Sequence, residues 1–282
     1  MKKKTIILQC IVLVLAVLIF VGYNLYVDFT SDTKGPEIHV PEEILELTVE
    51  DPQTALLQGI TARDNRDGDV TDSVIVENVY GITDENVVTV TYAAFDRSGN
   101  VTKATRQVRY TDYHSPVFEL NRSLAFSSGI DIMNYIGATD VFEGDISRRV
   151  RGTVVSETGS LNTIGRHEVE FQVYNSIGDT VKLRVPVEVY SPDKYNAKVE
   201  LKENLVYLSE REMFDYESYL SEFSYNSVVF DLSNGVPADL NVAINGSVNT
   251  WSPGIYPVTY TVTRVYGQMI YTGYAMLVVV VE

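Results

Sequence analysis

Asp64-Asn65-Arg66-Asp67-Gly68-Asp69-Val70-Thr71-Asp72 places four carboxylates within nine residues. Clustered Asp on a loop is the donor chemistry of Ca2+, which takes about 6–8 oxygen ligands at about 2.3–2.6 Å. Asp96, with Asn100 behind it, adds oxygens if its loop folds beside this one. The metal-ligand set this reading names is therefore Asp64, Asp67, Asp69, Asp72 and Asp96. The phase is not that of an EF-hand, which needs Glu at its twelfth position. The competing reading is turn chemistry, because Asp and Asn bond their own backbone and Asp67-Gly68 is a turn pair. Farther on, Asp140, Glu143 and Asp145 form a thinner acidic group.

A second constellation is aromatic. Trp251, Tyr256, Tyr271 and Tyr274 crowd the last forty residues, and Trp and Tyr anchor protein interfaces. They are the ligand-contact candidates, set against core and edge packing as the alternative use of the same side chains. Catalytic patterns are lacking. His39, His114 and His167 are more than 50 residues apart, no G-x-S-x-G elbow occurs, and no Gly-rich phosphate loop occurs. The chain is expected not to be an enzyme and to need no cofactor beyond Ca2+.

Strands must position these groups. Val87 to Phe95 alternates β-branched and aromatic residues and ends at the turn Asp96-Arg97-Ser98-Gly99-Asn100, and Thr105 to Tyr110 resumes the alternation. That is a hairpin. It recurs at Glu168–Asp179, where Gly178 follows Gly99 by 79 residues, and at Val258–Gly267, where Gly267 follows by a further 89. A period of 80–90 residues with about seven short strands per copy marks an array of β-sandwiches. Tyr92, Phe171 and Tyr260 share one place before each turn. They suit core packing, or a Tyr bonded to the backbone at a sheet corner. Ser209 to Glu217 opens Ser-x-x-Glu and is predicted to form one short helix or helical turn.

The first copy carries a resemblance. Its Asp64–Asp72 motif is followed by Thr91-Tyr92-Ala93-Ala94-Phe95-Asp96-Arg97-Ser98-Gly99-Asn100 and by Arg106-Gln107-Val108-Arg109-Tyr110-Thr111-Asp112. Over about residues 35–112 this resembles the bacterial immunoglobulin-like modules of surface proteins, including the insecticidal-crystal-protein-type Ig-like repeat. That family shows D-x-x-D-G-D-[ILV]-T, then Y-x-a-x-D-x-x-G-N, then a closing R-x-V-x-V-x-D strand. The later copies keep Glu143-Gly144-Asp145-Ile146-Ser147 and the hairpins alone. The resemblance implies an extracellular adhesive or spacer module without catalysis.

The N-terminus sets the expected compartment. Met1-Lys2-Lys3-Lys4 precedes 23 residues, Thr5 to Val27, with no acidic or basic side chain other than Cys10 and two Tyr. At 1.5 Å per residue such a helix crosses a hydrocarbon core of about 30 Å. The lysines before it, with Asp28 and Asp32 after it, orient the N-terminus to the cytoplasm. A cleaved signal peptide is the alternative, but no small-x-small site follows the run. Cys10 inside the run lacks the small residues of a lipobox before it.

Composition agrees with an exported acidic chain. The 282 residues carry 22 Lys+Arg against 38 Asp+Glu, a net charge of −16, with 45 % hydrophobic residues and one Cys. This excludes an internal disulfide framework, a Cys-rich zinc site, a broad basic nucleic-acid face and disorder.

The expected organisation is therefore all-β, with tandem Ig-like β-sandwiches preceded by one transmembrane helix. Residues 1–4 form a cytoplasmic basic tail, 5–27 the membrane helix and 28–34 a linker. Residues 35–112 and 113–193 form the first two Ig-like domains, and 194–282 a third Ig-like or divergent β-sandwich. The expected role is a single-pass, membrane-anchored bacterial surface protein acting as a non-catalytic adhesive, interaction or spacer module. Its partners would be the membrane, through the helix, and a surface protein or glycan, with no nucleic acid. The alternative is a structural accessory subunit of an envelope complex for polysaccharide export or cell-wall assembly.

Overall fold

A computed structural model describes residues 2–155 and 160–282, with side chains except those of 2–7, 10 and 28. The side chain of Cys10, and with it the lipid-attachment reading, thus lies outside the described side chains. The chain divides into two compact units, Met1–Asp112 and Tyr113–Glu282.

The first unit opens with helix α1, Lys2–Thr30, of 29 residues. Its described apolar side chains, among them Leu13, Leu18, Ile19, Phe20 and Leu25, are exposed. The amide of Asn24 donates to the Phe20 carbonyl at 2.7 Å and the Thr30 hydroxyl to that of Tyr26 at 2.7 Å, so polar groups fold back onto the helix. Among the described residues no helix is long and apolar enough to cross a membrane. The unbroken run of described side chains in α1 is 11–27.

Seven strands follow: β1 (Glu37–His39), β2 (Leu45–Leu47), β3 (Thr61–Asp64), β4 (Gly68–Asp69), β5 (Ile75–Tyr80), β6 (Val87–Phe95) and β7 (Val101–Tyr110). They form one sheet in the order β1-β3-β4 and another in the order β2-β7-β6-β5, with β2 parallel to β7. In β6 the core positions Val88, Val90, Tyr92 and Ala94 alternate with Thr89 and Thr91, a period of two. Gly99 turns the β6–β7 hairpin at φ 86°, a backbone conformation that favours glycine.

The second unit repeats this topology twice. Its first set is β8 (Val117–Leu120), β9 (Ala125–Ser127), β10 (Ile136–Asp140), β11 (Gly144–Asp145), β12 (Arg151–Val154), β13 (Gly165–Tyr174) and β14 (Thr180–Tyr190). Its second is β15 (Lys198–Leu201), β16 (Leu205–Leu208), β17 (Leu220–Tyr225), β18 (Val228–Asp231), β19 (Leu240–Asn245), β20 (Gly254–Tyr266) and β21 (Met269–Val281). The sheets run β11-β10-β8 with β12-β13-β14-β9, and β15-β17-β18 with β16-β21-β20-β19. The described residues thus form β-sheets in three sandwich modules of one strand order, and the divergent C-terminal stretch shares it.

The last two modules are fused through β21. Ala275, Leu277, Val279 and Val281 enter the core of the third module, whereas Met276 and Val278 enter the core of the second. Ser123 reinforces the seam: its hydroxyl accepts from Met276 N at 2.7 Å and donates to Met276 O at 3.1 Å.

Of the short helix or helical turn expected over Ser209–Glu217, one turn forms, with Glu212 N donating to Ser209 O at 3.1 Å, and no helix follows. The Glu212 carboxylate does reach back to Ser209 N at 3.0 Å, the contact the Ser-x-x-Glu pattern predicts. Arg211, inside this turn, adopts φ 68°, which is not helical, and Phe214, Tyr216 and Tyr219 pack against the third core. Aromatic burial outweighs the helical signal there.

Candidate metal centre

The acidic motif of the first module folds as a turn. Asp64 ends β3, and its Oδ1 accepts from Arg66 N at 2.7 Å and Asp67 N at 2.8 Å. These two N–H groups hold its carboxyl below the usual range, that of Asp67 foremost. Asp67 Oδ2 accepts from Arg97 N at 2.8 Å and so pins the β6–β7 hairpin tip. Asp69 Oδ1 accepts from Thr71 N at 3.0 Å, and hydrogen bonds from Thr71 likewise lower its pKa. The Thr71 hydroxyl accepts from Ala62 N at 3.0 Å, tying the turn back to β3. Asp72 is exposed.

Of the five candidate ligands, Asp64 and Asp96 come together. Asp32, which the sequence reading used only as a charge flanking the helix, joins them. One carboxylate oxygen from each of Asp32, Asp64 and Asp96 lies within 4.8 Å of the others. Asp67, Asp69 and Asp72 stand outside this group. No local spacing links Asp32 to the motif; it arrives through the segment between α1 and β1.

Asp64 is 3 % exposed, and its Oδ2 is buried without a hydrogen-bond partner. The same holds for Asp32 Oδ2, on a side chain 5 % exposed. The nearest cationic atom is Arg66 Nε, 3.7 Å from Asp32 Oδ2. Asp96 is occupied: Oδ1 accepts from Asn100 N at 2.8 Å and Oδ2 from Asn100 Nδ2 at 2.7 Å. Asn100 Nδ2 also donates to the carbonyls of Asp32 at 3.1 Å and Lys34 at 3.3 Å. Three carboxylates against one guanidinium leave a net charge of −2 in an all-oxygen donor set. Buried acceptors without donors are costly, and oxygen sets of this kind suit hard divalent cations.

The second module builds the same corner with different residues. Asp140 Oδ1 accepts from Phe142 N at 2.9 Å and Glu143 N at 3.1 Å, as Asp64 does from its own turn. Glu143 accepts from Ser176 N at 2.6 Å, as Asp67 does from Arg97. Asn175 stands in the place of Asp96, and its Nδ2 donates to Asp140 Oδ2 at 2.8 Å and to the Tyr113 hydroxyl at 2.9 Å. Tyr113 donates in turn to Asp179 Oδ2 at 2.6 Å. Burial, and then this carboxylate, raises the Tyr113 pKa. An amide and a phenol thus complete the network that three carboxylates leave open in the first module.

The aromatic candidates are not assembled into one surface. Trp251 is 72 % exposed, with the Arg211 guanidinium 5.2 Å from its ring centroid. Tyr256 packs on the third core and donates to Ser252 O at 2.9 Å. Tyr271 stacks on Tyr225 at 3.8 Å, and Tyr274 stacks on Tyr195 at 5.0 Å while donating to Glu188 Oε2 at 2.6 Å. The last three serve packing and the seam between modules.

No protein-family model matches the chain, and no curated protein matches it. Solved structures that it resembles include Drosophila N-cadherin EC1-4, at 13 % identity and TM-score 0.23 over 89 % of this chain and 76 % of that one. Mouse cadherin-23 EC22-24 aligns at 12 % identity and TM-score 0.19, over 89 % and 99 %. A Clostridium perfringens ZmpB structure holding CBM51-2 in complex with GlcNAc and INT domains aligns at 13 % and 0.23, over 87 % and 44 %. The tandem β-sandwich construction rests on the strand order of this chain alone.

Proposed function

We propose that this chain is a single-pass membrane protein whose β-sandwich modules lie outside the cell as a non-catalytic interaction or spacer array. The observation that carries the reading is α1. Its described apolar side chains are exposed around the helix, and it contains the uncharged run Thr5–Val27 behind three lysines. Exposed apolar surface of that extent is stable in lipid rather than water. The positive flank puts the N-terminus in the cytoplasm and everything after α1 outside.

The first module, with its D-x-x-D-G-D-V-T turn, reads as a bacterial immunoglobulin-like module of the insecticidal-crystal-protein type. Its acidic corner reads as a structural Ca2+ site. Asp64, Asp67 and Asp69 each spend one carboxylate oxygen on backbone N–H groups, which supports a scaffold role over catalysis. Trp251, exposed on the third module, is the candidate contact for a surface protein or glycan.

The test expresses the full chain in bacterial cells, followed by alkaline carbonate extraction of membranes and protease treatment of intact cells. The reading expects retention in the membrane and cleavage of the β modules from outside. Release by carbonate, or modules protected in intact cells, would overturn it.

A further inference from the structure

We propose that Asp32, Asp64 and Asp96 bind one Ca2+ ion, and that this ion clamps the segment following α1 onto the first module. The inference rests on the reading of the acidic corner as a Ca2+ site, and adds which residues bind and what binding does.

Three observations carry it. First, Oδ2 of Asp64 and Oδ2 of Asp32 are buried and lack hydrogen-bond donors, and both residues belong to the cluster in which each carboxylate offers an oxygen within 4.8 Å of the others. Three oxygens no more than 4.8 Å apart lie within about 2.8 Å of a common point, close to the about 2.3–2.6 Å of a Ca2+–oxygen contact, so a small inward shift lets one Ca2+ reach all three carboxylates. Second, the net charge of −2 left after Arg66 matches a divalent ion. Third, the second module answers the same geometric demand internally. Where the first has Asp96, it has Asn175, whose amide supplies the hydrogen bond that Asp140 Oδ2 needs. The first module has no such donor for Asp64 Oδ2. A cation is the missing partner.

The site is also preorganised. The Asp64 carboxylate is held through Oδ1 by two backbone N–H groups, and that of Asp96 by Asn100, so neither must be ordered when the ion enters. The Asp32 carboxylate accepts through Oδ1 from Lys34 N at 3.2 Å, a contact within its own segment, so its seating goes with that of the segment. Its segment is otherwise held by Asn100 Nδ2 on the carbonyls of Asp32 and Lys34, and by Arg66 on that of Thr30. Without the ion, three like charges oppose its seating. With the ion, the same charges draw it in.

The experiment uses the full chain in detergent micelles stripped of metal. Calorimetric titration with CaCl2, and separately with MgCl2, is paired with hydrogen exchange of the amides in residues 31–36. We expect one Ca2+ per chain, bound more tightly than Mg2+, and exchange in residues 31–36 slowed at least tenfold by Ca2+. Asp32→Asn and Asp64→Asn each weaken binding at least tenfold, and Asp72→Asn leaves it unchanged. Asp96→Asn, which installs the residue the second module carries naturally, weakens it too and guards against loss through misfolding. Absence of Ca2+ binding, equal affinity for Mg2+, or binding indifferent to Asp64→Asn and Asp96→Asn would overturn the cation site itself. Binding lost in those two variants but intact in Asp32→Asn, with unchanged exchange in 31–36, would leave a Ca2+ site standing and overturn the clamp.

Discussion

Tyr92 and Tyr260 occupy equivalent places in β6 and β20, both fully buried, and each hydroxyl needs a partner there. Tyr92 donates to Leu56 O at 2.7 Å and Tyr260 to Tyr216 O at 2.8 Å, while Phe171 fills the same place in β13 without a hydroxyl. Tyr92→Phe removes one buried hydrogen bond at nearly constant volume. It should lower the stability of the first unit by about 1 kcal/mol, seen as a shifted urea midpoint with unchanged slope. Glu143 offers a pH test in the second unit. Its hydrogen bonds to Arg149 hold its pKa down to about 2 from 4.5. A carboxylate lowered in the folded state contributes stability above its unfolded pKa, and this is lost as pH falls through the folded one. The second unit should therefore weaken between about pH 4.5 and pH 2, and Glu143→Gln should flatten that part of the profile measured by urea unfolding.

Strand β21 shows how much of the architecture its residues announce. The hairpins are readable because the alternation of Val88-Val90-Tyr92, Val169-Phe171-Val173 and Val258-Tyr260-Val262 obeys the period of two, and Gly99, Gly178 and Gly267 mark their turns at positive φ. The fusion of the last two modules follows from the run Ala275–Val281, which is apolar without alternation because both its faces are buried. That signal lies in the sequence but names no partner for the second face. The acidic corner was half legible. Asp64 and Asp96 belong to motifs with recognisable spacing, whereas Asp32 reaches them across more than thirty residues by tertiary folding. Asp67 and Asp69 look like ligands in the sequence, and the structure shows each accepting from a backbone N–H, Asp69 from Thr71 in its own turn and Asp67 from Arg97 on the neighbouring hairpin tip. Met276→Ala and Leu277→Ala, neighbours that face different cores, should each cost about 2–5 kcal/mol and lower one common transition. Two transitions, each moved by one variant, would show the second and third modules unfolding separately.

Across the whole chain, the two units should differ in their dependence on a cation. The corner in Tyr113–Glu282 closes with an amide and a phenol, and the corner in Met1–Asp112 leaves two buried carboxylate oxygens open. An ion that binds the native first unit raises its stability with concentration as RT ln(1 + [L]/Kd), and leaves a non-binding unit unmoved. Differential scanning calorimetry of the full chain in micelles, with millimolar Ca2+ and with chelator, reads both units in one sample. Two transitions are expected, of which Ca2+ raises one, and that response disappears in Asp64→Asn. Transitions insensitive to Ca2+, or a shift that survives Asp64→Asn, would contradict the cation site.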